Sequence, residues 1–191
     1  MRKRLGRWSA LAVTLALITS VNVAQIDPKY PELPKFRTVN KNLYRGAQPK
    51  PGGVKKLAEL GIKTIVNLRD EGKEAQAEKT EAEAAGLRYF NIPMPKFNAP
   101  TDEQVTRVLA IIEAPENQPV FVHSKDGANS TGIIIAVYRM VHDGWDNSRA
   151  AGEAEFLGMS MFQIKQKSYL SHYDASCRCS KPKSKDKSEK K

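Results

Sequence analysis

Pro119-Val-Phe-Val-His-Ser-Lys-Asp-Gly-Ala-Asn-Ser-Thr-Gly132, running straight into Ile133-Ile-Ile-Ala-Val-Tyr138, has the order strand, loop, helix. Val120, Phe121 and Val122 suit a buried strand, and the run from Ile133 to Met140 is apolar enough for a helix packed under a sheet. Between them, Gly127, Gly132 and short polar side chains leave backbone N–H groups free to converge at a helix N-terminus. Converging amides together with the helix dipole favour an oxyanion. Two familiar loops are excluded by spacing. A nucleotide triphosphatase loop needs Lys and Ser/Thr where Ile133 and Ile134 stand. A hydrolase elbow around Ser124 needs glycine two residues to either side, and Val122 and Asp126 are there instead.

The segment His123-Ser124-Lys125-Asp126-Gly127-Ala128-Asn129-Ser130-Thr131-Gly132 resembles the His-Cys-x-x-Gly-x-x-Arg-Ser/Thr-Gly signature of protein tyrosine and dual-specificity phosphatases. It departs from that signature twice. Ser124 stands in the place of the nucleophilic cysteine and Ser130 in the place of the phosphate-gripping arginine. A thiolate forms readily at a helix N-terminus, whereas a serine hydroxyl stays protonated and is a weak nucleophile without an adjacent base. A guanidinium fork holds two phosphoryl oxygens and stabilises transition-state charge, and serine offers a single neutral donor. The resemblance therefore implies a phosphate-binding loop built by Lys125, Asp126, Gly127, Ala128, Asn129, Thr131 and Gly132, with turnover close to background. His123 is implied either to tune the nucleophile or to be a satisfied structural residue, and Thr131 to cap the following helix.

A second segment carries the same resemblance. Leu43-Tyr-Arg-Gly-Ala-Gln-Pro49, then the strand in Gly61-Ile-Lys-Thr-Ile-Val-Asn-Leu-Arg69, looks like the front half of the compact bacterial and plant-fungal dual-specificity phosphatases. With both segments in order, the likeness covers about residues 42 to 158, and Arg45 and Arg69 become candidate supports for a bound anion. In the family, a loop placed like residues 93–100 often supplies the aspartic acid that protonates the leaving group. Here that loop has Lys96 and no carboxylate; Asp102 is the nearest substitute, but its place in the first turn of a helix is already explained by the dipole.

The remaining elements follow from local signals. Pro51 opens a helix with Val54, Leu57 and Ala58 on one face, stopped by Gly61. Residues 71–85, rich in Glu, Ala and Lys, read as an exposed helix ending at Gly86, and residues 87–92 as a strand. Thr101 and Gln104 form a capping-box pair ahead of a stripe of Val105, Val108, Leu109 and Ile112. Beyond Gly144, residues 148–157 read as a helix, and Met159, Met161, Phe162, Ile164, Tyr169, Leu170 and Tyr173 as the apolar contacts of a last helix closing the core. Strands alternating with helices imply an α/β fold with a mainly parallel central sheet flanked by helices.

The ends of the chain read differently. Arg2, Lys3, Arg4 and Arg7 precede an apolar stretch and a polar exit, the layout of an export signal, or of an N-terminal membrane anchor if it is not cleaved. Residues 27–41 form a proline-containing lead-in, 42–175 the phosphatase-like domain and 176–191 a basic, solvated tail. The leader carries +4 and the tail +5 of the net +10, leaving +1 for the body, so a basic nucleic-acid-binding face is not indicated. Cys177 and Cys179 stand at the tail junction, where neither can be the nucleophile; a local bridge, a pairing between chains and a weak metal site with His172 are alternatives. No metal or organic cofactor is expected. The reading is an exported, catalytically impaired pseudophosphatase for a phosphorylated peptide, an inositol phosphate or another anion. A weak phosphoesterase using Ser124 with His123 or His142 as base, and an interaction module working through the tail, are the competing readings.

Overall fold

The computed structural model describes residues 29–176, so the leader, the basic tail, Cys177 and Cys179 lie outside the described residues. Five strands form one sheet in the order β1-β2-β5-β3-β4. They are β1 (Arg37–Asn40), β2 (Leu43–Ala47), β3 (Thr64–Asn67), β4 (Arg88–Asn91) and β5 (Val120–Ser124). β5 is central and parallel to both β2 and β3, β4 is parallel to β3, and only β1 runs antiparallel, against β2. The expected α/β architecture with a mainly parallel sheet is thus what forms.

Helices cover both faces. α1 (Gly53–Glu59) and α2 (Lys73–Ala84) lie on one, while α3 (Asp102–Glu113), α4 (Asn129–His142), α5 (Asn147–Phe156) and α6 (Ile164–His172) build the other. The strand period of two divides the side chains between them. Val120 and Val122 of β5 join Ile133–Val137 of α4 in the larger core, and Phe121 joins Leu57, Ile65 and Ala82 in the smaller one. The capping box at Thr101 forms in full, each residue's side chain bonded to the other's backbone N–H, and the four apolar residues of α3 are buried as the stripe requires.

Three expectations need correction. From residue 29 on, the segment read as a lead-in belongs to the folded body: turns around Pro31 and Pro34 leave Leu33 and Phe36 buried, and β1 then adds to the sheet edge. Phe36 stacks on Phe121 and Tyr44 at ring separations of 5.8 and 5.5 Å. The helix read as exposed, α2, buries Ala75, Glu78 and Ala82 on one stripe against the sheet. And of the apolar set assigned to the last helix, Met159 and Leu170 are buried, but Met161, Phe162 and Ile164 stand in solvent because the turn before α6 projects them away from the core.

With Phe36 buried in the smaller core, Phe36→Ala should cost about 3–5 kcal/mol. Urea unfolding checks this; a lead-in outside the core would give a change near zero.

Candidate functional site

The loop after β5 is fastened to the end of β2. Gly127 has φ +62°, and a Cβ added there would lie 2.5 Å from the Gly46 carbonyl carbon and oxygen and 2.6 Å from Ala47 N. Only glycine fits both the conformation and the contact. On either side of this point β2 reaches the loop again: Arg45 Nη2 donates to the Gly127 carbonyl at 3.0 Å, and Gln48 N to the Lys125 carbonyl at 3.3 Å. The chain then enters α4 with Ala128 as its N-cap residue, leaving the first-turn N–H groups of the helix without intrahelical partners.

A cleft of about 330 Å³ opens at this helix end. Ser124, Lys125, Asp126, Asn129 and Ser130 form its loop side, Arg69, Asp70 and Lys96 reach in from two other loops, and Gln163 closes a corner. Of the residues expected to surround an anion, Gly127, Ala128, Thr131 and Gly132 shape the wall without lining it. Thr131 is not the helix cap. α4 begins two residues earlier, and the fully buried Thr131 hydroxyl donates to Ser124 Oγ at 2.9 Å.

Arg45 is beneath the loop rather than beside an anion. It is 2% exposed and, among the described residues, its Nη1 has no hydrogen-bond partner. Burial lowers its pKa to about 10, against the attraction of Glu153, so it remains a cation at neutral pH. Arg69 does line the cleft, held by Gln48 Oε1 at 2.8 Å and by an ion pair with Glu74. Asp102 is outside it, accepting from Tyr169 Oη at 2.9 Å in the first turn of α3. Two other carboxylates, Asp70 and Asp126, do line the cleft. Asp70 was not legible as such because it follows a strand with no local signal for a site.

His123 and Ser124 point to opposite faces of β5, as strand geometry demands. His123 is fully buried and stacks on Phe121, and its Nε2 lies 3.1 Å from Glu78 Oε1, an ion-pair approach outside good hydrogen-bond geometry. Glu78 also accepts from Gln48 Nε2 at 2.7 Å, Asn67 Nδ2 at 2.8 Å and Tyr89 Oη at 3.0 Å. This polar knot ties α2 to β3, β4 and β5. Glu78 was missed by sequence reasoning as one more charge on a Glu-rich helix; its position between Ala75 and Ala82, three and four residues away on one face, was the available signal.

Burial opposes ionisation of Glu78, but His123, Tyr89 and Gln48 outweigh it and hold the carboxyl below its ordinary range. A depressed carboxyl stabilises the fold above the unfolded-state pKa, about 4.3, and that contribution disappears as pH falls through the folded value. Glu78→Gln should therefore be less stable than the wild type at neutral pH by roughly 2 kcal/mol. The difference should shrink as the pH falls below 4, read by urea unfolding across a pH series; a constant difference would mean that the Glu78 charge contributes nothing.

Comparison with known proteins fits this geometry. Residues 22–172 match the family described as DSP-PTPase phosphatase fused to NAD+ kinase. The chain is 33% identical over 117 residues to the dual specificity protein phosphatase TpbA of Pseudomonas aeruginosa, covering 61% of this chain and 51% of that protein. It thus spans about half the length of that curated relative. It is 25% identical over 145 residues to an inositol diphosphatase of Arabidopsis thaliana, covering 74% of this chain and 72% of that protein. Among solved structures, P. aeruginosa TpbA, as a cysteine-to-serine variant in complex with phosphotyrosine, superposes with a TM-score of 0.63 at 28% identity, covering 74% of this chain and 86% of that one. The core catalytic domain of the yeast phosphatase SIW14 has a TM-score of 0.68 at 22% identity, covering 75% and 88%, a likeness of fold. With the family match spanning most of the sequence, the chain belongs to the dual-specificity phosphatase branch of the protein tyrosine phosphatase superfamily.

Proposed function

We propose that this chain is a catalytically impaired member of its family, a pseudophosphatase whose loop binds a phosphorylated ligand without turning it over efficiently. The observation that carries this reading is the environment of Ser124. Its Oγ is bonded to the neutral Thr131 hydroxyl, which cannot take up a proton, and the neighbouring imidazole of His123 is on the other face of the strand, engaged with Glu78. Asp70 and Asp126 line the same cleft but have no hydrogen bond to Ser124 Oγ among the described residues, and a serine not bonded to a base is a poor nucleophile. Ser130, in the place that the family signature gives to arginine, adds no charge at the cleft.

Binding is a separate matter. The loop backbone, the first-turn amides of α4, Lys125 and Lys96 at the rim and the buried Arg45 cation all favour an anion. Asp70 and Asp126 oppose it and select for a ligand that also offers hydrogen-bond donors or positive charge. That the related TpbA is seen with phosphotyrosine when one of its cysteines is serine supports phosphate recognition without a thiol. The basic and apolar order of residues 1–26 supports export of this module.

Calorimetric titration of inorganic phosphate, a phosphotyrosine peptide and an inositol polyphosphate into the full chain tests the binding half. At least one should bind in the micromolar range, about −8 kcal/mol. For the chemistry, the S124C/S130R revertant should hydrolyse an aryl phosphate about a thousandfold faster than the wild type, or more. Wild-type turnover equal to the revertant's and abolished by Ser124→Ala would make the protein an active enzyme and overturn the reading.

A further inference from the structure

Four large apolar side chains stand in solvent on the two segments that flank the cleft. Phe97, 66% exposed, follows Lys96, while Met161, Phe162 and Ile164, 73%, 84% and 76% exposed, surround Gln163; Lys96 and Gln163 themselves line the cleft. These segments are tied to each other. The fully buried Gln166 donates through Nε2 to the carbonyls of Pro95, Lys96 and Asn98 at 3.2, 3.4 and 3.3 Å, and Lys165 Nζ donates to Asn98 Oδ1 at 2.8 Å. The second segment is fixed to the phosphate loop as well, since Ser160 N donates to Asn129 Oδ1 at 3.0 Å. The apolar rim is therefore mounted on the framework of the site. From it, a mostly apolar groove follows α6 from Ile164 to His172, with Ala99 and Tyr169 in its walls.

The charges around this rim choose its partner. Lys96 and Lys165 adjoin Phe97 and Ile164 in the chain and Lys125 lines the cleft beside Lys96; α6 is the last helix among the described residues, and in sequence residues 178–191 beyond it carry seven Lys/Arg against Asp186 and Glu189. Of the nearby acids, Asp102 is held by Tyr169 and Glu155 by Lys167, while Asp70 and Asp126 line the cleft together with Lys96 and Lys125; over the whole sequence the balance is +10. A second copy of the same chain would bring the same lysines and tail against these. Apolar side chains that can enter an acyl boundary, with cations beside them, match an anionic lipid surface.

We propose that this face docks on an anionic phospholipid bilayer, with Phe97, Phe162 and Ile164 entering the interface and the cleft opening onto the headgroups. It rests on the phosphate-loop reading only for what enters the cleft, a phosphomonoester headgroup; the docking itself rests on the rim.

Amide hydrogen exchange of the full chain, with phosphatidylcholine vesicles containing or lacking phosphatidic acid, tests it at the level of segments, so that attachment through residues 1–26 is not mistaken for docking of the rim. Peptides spanning residues 96–99 and 160–165 should exchange about tenfold more slowly on the anionic vesicles and hardly change on phosphatidylcholine alone, and high salt should weaken the effect. The F97S/F162S variant, altered only at exposed positions, should lose this protection and still bind inorganic phosphate as the wild type does. Unchanged exchange on anionic vesicles would overturn the proposal. So would protection of the same peptides that arises without lipid as protein concentration rises, or that requires a phosphotyrosine peptide. If protection appears but inorganic phosphate does not bind, the docking stands and the loop reading falls.

Discussion

The constraint on which the rest depends is the backbone contact between Gly127 and the end of β2. A loop so close to β2 that a Cβ on Gly127 would lie 2.5 Å from the Gly46 backbone has no freedom to drift, and the bonds from Arg45 and Gln48 fasten it at Gly127 itself and at Lys125. Its shape is therefore imposed by the sheet. Neither Ser124 nor Ser130 takes part in that fastening. Their side chains can differ from the family signature while the loop, and the helix end behind it, keep their positions.

Beneath the loop, two charged groups are buried on opposite faces of the sheet. Arg45 lies on the α4 and α5 side with Glu153 and Arg139 nearby, and Glu78 lies on the α2 side with His123. Buried charges of this kind persist only when neighbours compensate their lost hydration. Glu78 is compensated by several donors, whereas Arg45 has, among the described residues, one carbonyl and no partner for Nη1, and burial lowers its pKa. The under-compensated cation is the one directly under the loop, so its field favours an anion above it.

Much of this was legible in the sequence because it is written in short range. The strand, glycine loop and apolar helix around residues 119–138, the capping box at Thr101 and the stripe on α3 all depend on neighbours within a turn or two, and all form as read. What could not be read depends on which elements meet in space. Glu78 is an ordinary helix charge until β5 places His123 against it, and Asp70 is a loop residue until the strand order brings β3 beside β5. Phe162 and Ile164 read as core in the sequence because composition cannot tell an apolar residue that faces a helix from one that the preceding turn throws outward. Arg45, a candidate support for the anion in the sequence, differs for a related reason: strand alternation puts it on the α4 side of β2, and only the position of the loop shows that this side is underneath.

Fold and turnover therefore place separable demands on this chain. Ser124 is close in size to cysteine, and its hydroxyl finds a partner in Thr131, so the substitution leaves no unsatisfied group at the cleft floor. Ser130 is at the cleft wall in the first turn of α4, where a short polar side chain is readily tolerated. On the proposed reading both changes remove chemistry while leaving the scaffold undisturbed. A loop held by glycine contacts and main-chain bonds can outlast its catalytic side chains, and what survives is a concave set of amide donors over a buried cation. Such a site retains the means to recognise an anion after it has lost the means to transfer a phosphoryl group.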